Sequence, residues 1–258
     1  MESALLYAPE RHQQILETAR VRGRVEVAGL ARELSVTPET VRRDLTALER
    51  RGVLRRVHGG AIPVERLGIE PGIADREVHA INEKERIARA ALDELPDGGS
   101  IILDAGTTTV RLAELLPMDR EFTVVTHSIP VAAALVSRPN ISLHVLGGIV
   151  RGRTLAAVGE WTRTQVAQVF ADVAFMGTNG ISVERGLTTP DIAEATVKQA
   201  LIAAARRTVV LADHSKFGRE DFARVVPLSA IDTVITDSGL DPELADDMEN
   251  AGPRMVVV

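Results

Sequence analysis

The chain has 258 residues, enough for two domains, and 45% hydrophobic content beside 26% charged residues, which is sufficient to fill a real core. It has no cysteine, which excludes disulfides and thiolate metal sites. No apolar run approaches the roughly 20 residues of a membrane-spanning helix, and the start, MESALLYAPERHQQ, lacks a cationic stretch leading into an apolar one, so a cytoplasmic location is expected.

The formal charge of −6 is unevenly distributed. Residues 1–62 hold 11 Lys or Arg against 8 Asp or Glu, and the remainder holds 19 against 28. Phosphate contact responds to the charge of the segment, so a weakly basic front can meet nucleic acid although the whole chain is acidic.

Within that front, Arg11 to Arg22 places Ile15, Leu16 and Ala19 on one helical face, and Val25 to Leu34 does the same with Val27, Leu30, Ala31 and Leu34. Ser35-Val36-Thr37 has the length of a helix-turn-helix connection. Thr37 suits an N-cap and Pro38 the first helical position, where a missing amide hydrogen costs nothing. Val41, Leu45 and Leu48 then form an apolar stripe, which turns Glu39, Arg43, Thr46 and Arg50 outward. Gly52 is expected to stop this helix, Val53 to Val57 alternates apolar and basic residues, and His58-Gly59-Gly60 predicts a turn.

Three helices and a basic hairpin predict a winged helix-turn-helix domain over residues 1–62. In that geometry Thr37, Glu39, Thr40, Arg42 and Arg43 lie toward the front of the third helix, where side chains meet base edges. Arg55, Arg56 and His58 on the wing reach phosphates or the minor groove. A cationic helix face alone is usually just solvated, but brace, turn and hairpin in register favour double-stranded DNA as partner. One copy would neutralise few phosphates, so a homo-oligomer on repeated half-sites is expected.

Residues 63–80 show mixed charge, Pro71-Gly72 and no period, and are predicted to be a linker. Asn82 to Leu95 predicts a helix ended by Pro96-Asp97-Gly98-Gly99. Beyond it, strands are expected at Ser100 to Leu103, Phe122 to Thr126, Ser142 to Leu146, Val173 to Met176, Thr208 to Ala212, Thr233 to Thr236 and Met255 to Val258. Helices fit between them near Val110 to Leu116, Ile129 to Ser137, Gly159 to Val169, Ala193 to Arg206 and Pro242 to Asn250. Near-continuous apolar strands separated by helices predict an α/β domain over residues 81–258, with a mostly parallel sheet covered on both faces.

Ligands in such sheets collect at the carboxyl ends of the strands. Asp104-Ala105-Gly106-Thr107-Thr108-Thr109 opens a helix there, and its amides and hydroxyls suit a phosphate. An ordinary strand-to-helix turn capped by threonines is the alternative. Thr126-His127-Ser128, Gly147-Gly148, Gly177-Thr178-Asn179-Gly180 and Asp213-His214-Ser215-Lys216 end other strands. Lys216 suits an anion, and Asp104, Asn179 and Asp213 suit sugar hydroxyls. Glu194 and Lys198 stand one turn apart and suit either a ligand or a structural i,i+4 pair. Nothing calls for a cofactor or a metal.

The ordered series TPETVRRDL, RRVHGGA, LDAGTTT, VVTHS, LGG, FMGTNGIS, GLTTPDIAEATVKQAL and VVLADHSKFG resembles the DeoR family of bacterial transcriptional regulators over nearly the whole chain. The resemblance implies a winged DNA-binding domain, a carboxy-terminal domain similar to ribose-phosphate isomerase, and repression of sugar-catabolism genes until a phosphorylated sugar binds. It implies effector contacts at Asp104, Gly106, Thr107, Thr108, Asn179, Glu194, Lys198, Asp213 and Lys216.

It also raises an active aldose-ketose isomerase as a rival. The related isomerases carry Asp-Gly-Ala-Asp-Glu at the strand end where this chain has Met176-Gly177-Thr178-Asn179-Gly180. Methionine cannot accept the proton that such a reaction moves. A third reading makes the α/β domain chiefly an oligomerisation scaffold.

Overall fold

The computed structural model describes residues 7–51, 53–57, 59–63 and 72–258, so the expectations placed on Gly52 and His58 lie outside the described residues. The chain divides into two compact units, Met1–Asp75 and Arg76–Val258.

The first unit runs α1 (Ala8–Arg22), β1 (Val25–Glu26), α2 (Val27–Glu33), α3 (Pro38–Arg50), β2 (Leu54–Val57) and β3 (Gly60–Pro63). Its core is Ile15, Ala19, Leu30, Val41, Leu45, Leu48, Leu54 and Ala61, which includes the apolar stripes of all three helices. The second helix starts two residues later than its periodicity suggests, because Val25 and Glu26 pair antiparallel with Ala61 and Gly60 of the wing. The branched Val25 gains a ladder partner there that a helix would not supply. The sheet order is β1-β3-β2. At Gly60 a Cβ would stand 1.9 Å from the Val25 carbonyl oxygen, so this close crossing requires glycine.

A short α4 (Ile73–Glu77) lies within the segment read as linker. The second unit opens with α5 (Ile81–Ala90), which tightens into a 3-10 turn over Ala91–Glu94 instead of continuing to Leu95. Leu95 precedes Pro96, whose ring disfavours helical backbone at the preceding residue, and its φ −68° and ψ 140° are extended.

The chain then runs β4 (Gly99–Leu103), α6 (Thr107–Leu115), β5 (Phe122–Thr126), α7 (Ile129–Leu135), β6 (Ile141–Val145), β7 (Ile149–Arg151), β8 (Ala156–Val158) and α8 (Glu160–Val166). It continues through β9 (Ala171–Gly177), β10 (Gly180–Ser182), β11 (Gly186–Thr189), α9 (Ile192–Ala203), β12 (Ala205–Leu211), β13 (Ala223–Arg224), β14 (Thr233–Thr236), α10 (Pro242–Asn250) and β15 (Arg254–Val257). Seven of these strands form one sheet in the order β15-β14-β12-β9-β4-β5-β6. Every neighbouring pair in it is parallel.

All seven strands read from the sequence are present. The short antiparallel pieces, β7 with β8 and β10 with β11 and β13, were not foreseen, being two to four residues long.

Side chains alternate across the sheet and both faces are buried, which explains the unbroken apolar runs. Ile101, Leu103, Val124 and Phe175 pack with residues of α5, α6 and α7 on one face. Ile102, Val125, Ala174 and Met176 pack with residues of α8, α9 and α10 on the other. From β4 the chain adds β5 and β6 on one side, then returns to place β9, β12, β14 and β15 on the other. The gap between β4 and β9 is therefore the topological switch point, outside which open α/β sheets form their binding crevice.

Candidate functional site

The DNA-facing candidates lie on α3 and the wing of the first unit. Thr37 Oγ1 accepts the Thr40 amide at 3.2 Å and lies 2.9 Å from Thr40 Oγ1, so both hydroxyls serve the cap. Glu39 pairs with Arg42 at 3.1 Å. With Arg43, Thr46 and Arg50 they line a shallow depression along α3. Arg43, Arg50 and Arg55 are exposed and have no polar partner among the described residues.

Arg56, expected to reach phosphate, is bonded within its own unit. Its guanidinium donates to Thr46 Oγ1 at 3.0 Å and reaches the Arg42 carbonyl, and its amide donates to Glu49 Oε1 at 2.9 Å. It therefore ties wing to recognition helix. Beneath α3, the buried Asp44 accepts Arg11 Nη2 at 3.0 Å and meets His12 Nε2 at 3.0 Å, bracing α1 against α3. Burial alone would raise the Asp44 pKa, but the bonds from Arg11 and His12 outweigh it and lower it.

In the second unit, the carboxyl ends of the adjacent strands β12, β9, β4 and β5 carry Asp213, Asn179, Asp104 and His127. Asp104 is fully buried. Its Oδ1 lies 2.9 Å from His127 Nε2, and its Oδ2 accepts the Gly177 amide at 2.9 Å and the Lys198 ammonium. Lys198 also donates to the Gly177 carbonyl at 2.9 Å, and His127 Nδ1 donates to the Ala157 carbonyl at 2.8 Å.

Asp104 thus joins β4, β5, β9 and α9 across the switch point. Burial pushes its carboxyl up, yet the Lys198 charge and His127 hold it down to about 2. Both its oxygens are committed to protein partners, which makes it an anchor for Lys198 and not an open hydroxyl acceptor.

Glu194 and Lys198 do not pair with each other. Glu194 meets Arg151 Nη1 at 2.8 Å and accepts Thr189 Oγ1 at 3.2 Å, while Arg151 Nε lies 3.3 Å from Asp191. Asp213 accepts the Ser215 amide at 3.1 Å and bonds its hydroxyl. Burial raises that carboxyl, and the Lys216 charge, the Ser215 bond, Lys84 and His79 together lower it to about 2. His214 instead faces Asp237, at 2.7 Å, so no Ser-His-Asp relay forms here.

Gly106 is the N-cap of α6 and brings no side-chain acceptor. Thr109 Oγ1 turns back onto the Asp104 and Gly106 carbonyls, at 2.8 and 2.9 Å. The first-turn amides of Thr107 and Thr108 are left uncapped.

Three residues were missed as contacts: His127, Arg151 and Lys84. Lys84 is buried, donates to the His79 carbonyl at 2.6 Å and to that of Arg76, and is lowered to about 8 by burial and by the charges of Lys216, Arg76 and Arg111, against the pull of Asp213. A signal for it existed. Lys84 stands on the same helical stripe as Ile87, Ala88 and Ala91, and a lone cation in an apolar stripe marks a buried charge. Arg151 carried none, since it sits on a three-residue strand.

Comparison with known proteins places both units. The DeoR-like helix-turn-helix domain matches residues 11–66 and the DeoR C terminal sensor domain matches residues 79–238. This chain belongs to the DeoR family. The HTH-type transcriptional regulator GlpR of Haloferax volcanii is 38% identical to it, over 96% of each chain. The glycerol-3-phosphate regulon repressor of Escherichia coli K12 is 32% identical, over 89% of this chain and 90% of that one. Among solved structures, ribose 5-phosphate isomerase A of Methanocaldococcus jannaschii aligns at 19% identity and TM-score 0.39, over 52% of this chain and 53% of the isomerase.

The DeoR assignment makes the chain a DNA-binding transcriptional regulator and sets aside the active-isomerase alternative. Among the described residues no helix of this regulator is long and apolar enough to cross a membrane.

Proposed function

We propose that this DeoR-family protein is a cytoplasmic, homo-oligomeric repressor of sugar-metabolism genes, released or engaged by a phosphorylated sugar held without turnover outside β4 and β9. The observation that carries this reading is the uncapped start of α6 beside the Asp104 and Lys198 pair at the switch point. Amides at a helix start favour an anion, so Gly106, Thr107 and Thr108 would take the phosphate. Asn179, Asp213 and Glu194 would meet hydroxyls, with Lys216 and Lys198 supplying positive charge. The relative named for a glycerol-3-phosphate regulon supports a small phosphate ester. The DNA side rests on Arg43 and Arg42 for base edges and on Arg55 for the backbone of an operator duplex.

Such a ligand shifts the DNA-binding equilibrium only through unequal affinity for the two arrangements of the oligomer. The test is a panel of triose, pentose and hexose phosphates, measured by thermal shift and by binding to the regulator's own upstream DNA. One phosphate ester should raise the sensor transition, because a ligand selective for the native state stabilises it, and should change operator affinity. A panel that moves neither quantity would leave the second unit as an oligomerisation scaffold and sink the sensor reading.

A further inference from the structure

We infer that Asp221 is a further contact of the effector site, where its buried carboxylate accepts a hydroxyl of the bound sugar and so selects among phosphorylated sugars. The inference rests on the sensor reading above and adds a specificity residue to it.

The chain from Lys216 to Asp221 wraps the turn that carries Asn179. Phe217 bridges to Ile181, the Gly218 amide donates to the Ile181 carbonyl at 2.9 Å, and the Asp221 amide donates to Thr188 Oγ1 at 3.0 Å. A Cβ on Gly180 would stand 2.5 Å from the Arg219 carbonyl oxygen and 2.8 Å from Thr188 Oγ1, so loop and turn are in contact. Glu220 fastens the loop again, accepting Ser182 Oγ at 2.9 Å and Arg185 Nε at 3.1 Å. The backbone of Asp221 is therefore held beside Asn179 and Gly180 before any ligand arrives, and the charge of Lys216 acts on its carboxyl.

That carboxyl is left incomplete. Oδ1 lies 3.8 Å from Arg219 Nη2, too far for a hydrogen bond. Oδ2 is buried and accepts no hydrogen bond among the described residues. Asp104 and Asp213 accept bonds from protein groups and are held down to about 2, whereas burial pushes Asp221 up against the charges of Arg219 and Lys216. A buried acceptor without a donor costs stability, and that cost is recovered when a ligand brings the donor. Phosphate is the wrong group, being itself an acceptor and an anion. Lys216 and Arg219 disfavour an ammonium beside them, which leaves a neutral hydroxyl as the group that fits.

The test uses the full chain with triose, pentose and hexose phosphates, inorganic phosphate, and the monodeoxy analogues of the tightest binder. Asp221→Ala should bind that sugar phosphate about ten- to hundredfold more weakly, the loss expected for a hydrogen bond to a charged group, and should keep any affinity for inorganic phosphate. Wild type should discriminate by a similar factor against one monodeoxy analogue, and the variant should bind that pair within about twofold of each other. The unliganded variant should melt no lower than wild type, because an uncompensated carboxylate has been removed, whereas a purely structural Asp221 would melt lower when replaced and leave discrimination intact. Asp221→Asn, which keeps the size of the side chain, should lose the same discrimination and guards against a loop disturbed by alanine. Variants that bind sugar phosphates as tightly as wild type, or more tightly through relief of repulsion between carboxylate and phosphate, overturn the assignment. If no phosphate ester binds wild type, the sensor reading fails and takes this one with it; if esters bind and are discriminated without Asp221, this one alone fails.

Discussion

Arg43 is exposed without a polar partner among the described residues, whereas Arg56 is bonded to Thr46 and the Arg42 carbonyl. The same side chain therefore has different consequences at the two positions. Arg43→Ala should weaken operator binding by about 1–3 kcal/mol and relax base preference, with folding stability within about 0.5 kcal/mol of wild type. Arg56→Ala should instead lower the stability of the winged unit by about 1 kcal/mol, through the lost hydrogen bonds between wing and α3. Parallel salt titrations and urea melts separate the two, and equal losses of affinity with no loss of stability for Arg56→Ala would refute the structural role. Asp104 teaches the same lesson in the sensor unit. A carboxylate at a strand end looks like a hydroxyl acceptor in the sequence, but three protein groups already claim it.

At the level of elements, the wing is held by β1 as well as by β2, and the crossing of β1 over β3 depends on a glycine. Gly60→Ala would drive a methyl into the Val25 carbonyl and should cost the winged unit about 1–3 kcal/mol, the usual range for overpacking. Hydrogen exchange should show the Val25 and Ala61 amides losing protection while those of β4 and β9 keep theirs. Equal protection in the variant would mean that the two-residue β1 contributes nothing. In the second unit, α6 directly follows β4, whereas α9 follows β9 only after β10 and β11, and both helices meet at the carboxyl ends of β4 and β9, where Lys198 bonds Asp104 and the Gly177 carbonyl. One places uncapped amides there, and the other places Glu194 and Lys198.

The whole molecule couples buried charge to pH in opposite directions. Asp104 and Asp213 have pKa values lowered to about 2 in the folded chain, below the ordinary 3.8, so their stabilisation is complete above about pH 4 and is lost as pH falls toward 2. Lys84 is lowered from 10.5 to about 8, so the unfolded chain binds its proton more tightly between those values. Its burial costs roughly 3 kcal/mol below pH 8, and the cost is relieved as pH rises toward 10. Urea denaturation across pH should show an acid limb and an alkaline rise, and Lys84→Met should abolish the rise while trimming the part of the acid limb that the Lys84 charge gives Asp213. An unchanged alkaline limb in that variant would place the effect elsewhere.

The sequence by itself determined the longer helices, the strands of the parallel sheet and their order. Apolar stripes at helical spacing fixed α1 to α3, and unbroken apolar runs fixed the seven parallel strands, because burial on one face or on two leaves a periodic trace in the chain. The strand-end loops that carry Asp104, Asn179 and Asp213 were legible for the same reason, lying where those runs stop. Only the tertiary structure decided who partners whom. That Lys198 bonds Asp104, 94 residues away, instead of Glu194 on its own helix, that Arg151 closes on Glu194, and that Val25 leaves its helix for the wing all depend on contacts between distant segments. Local spacing carries no information about such contacts, since their energy exists only once the strands have been brought side by side.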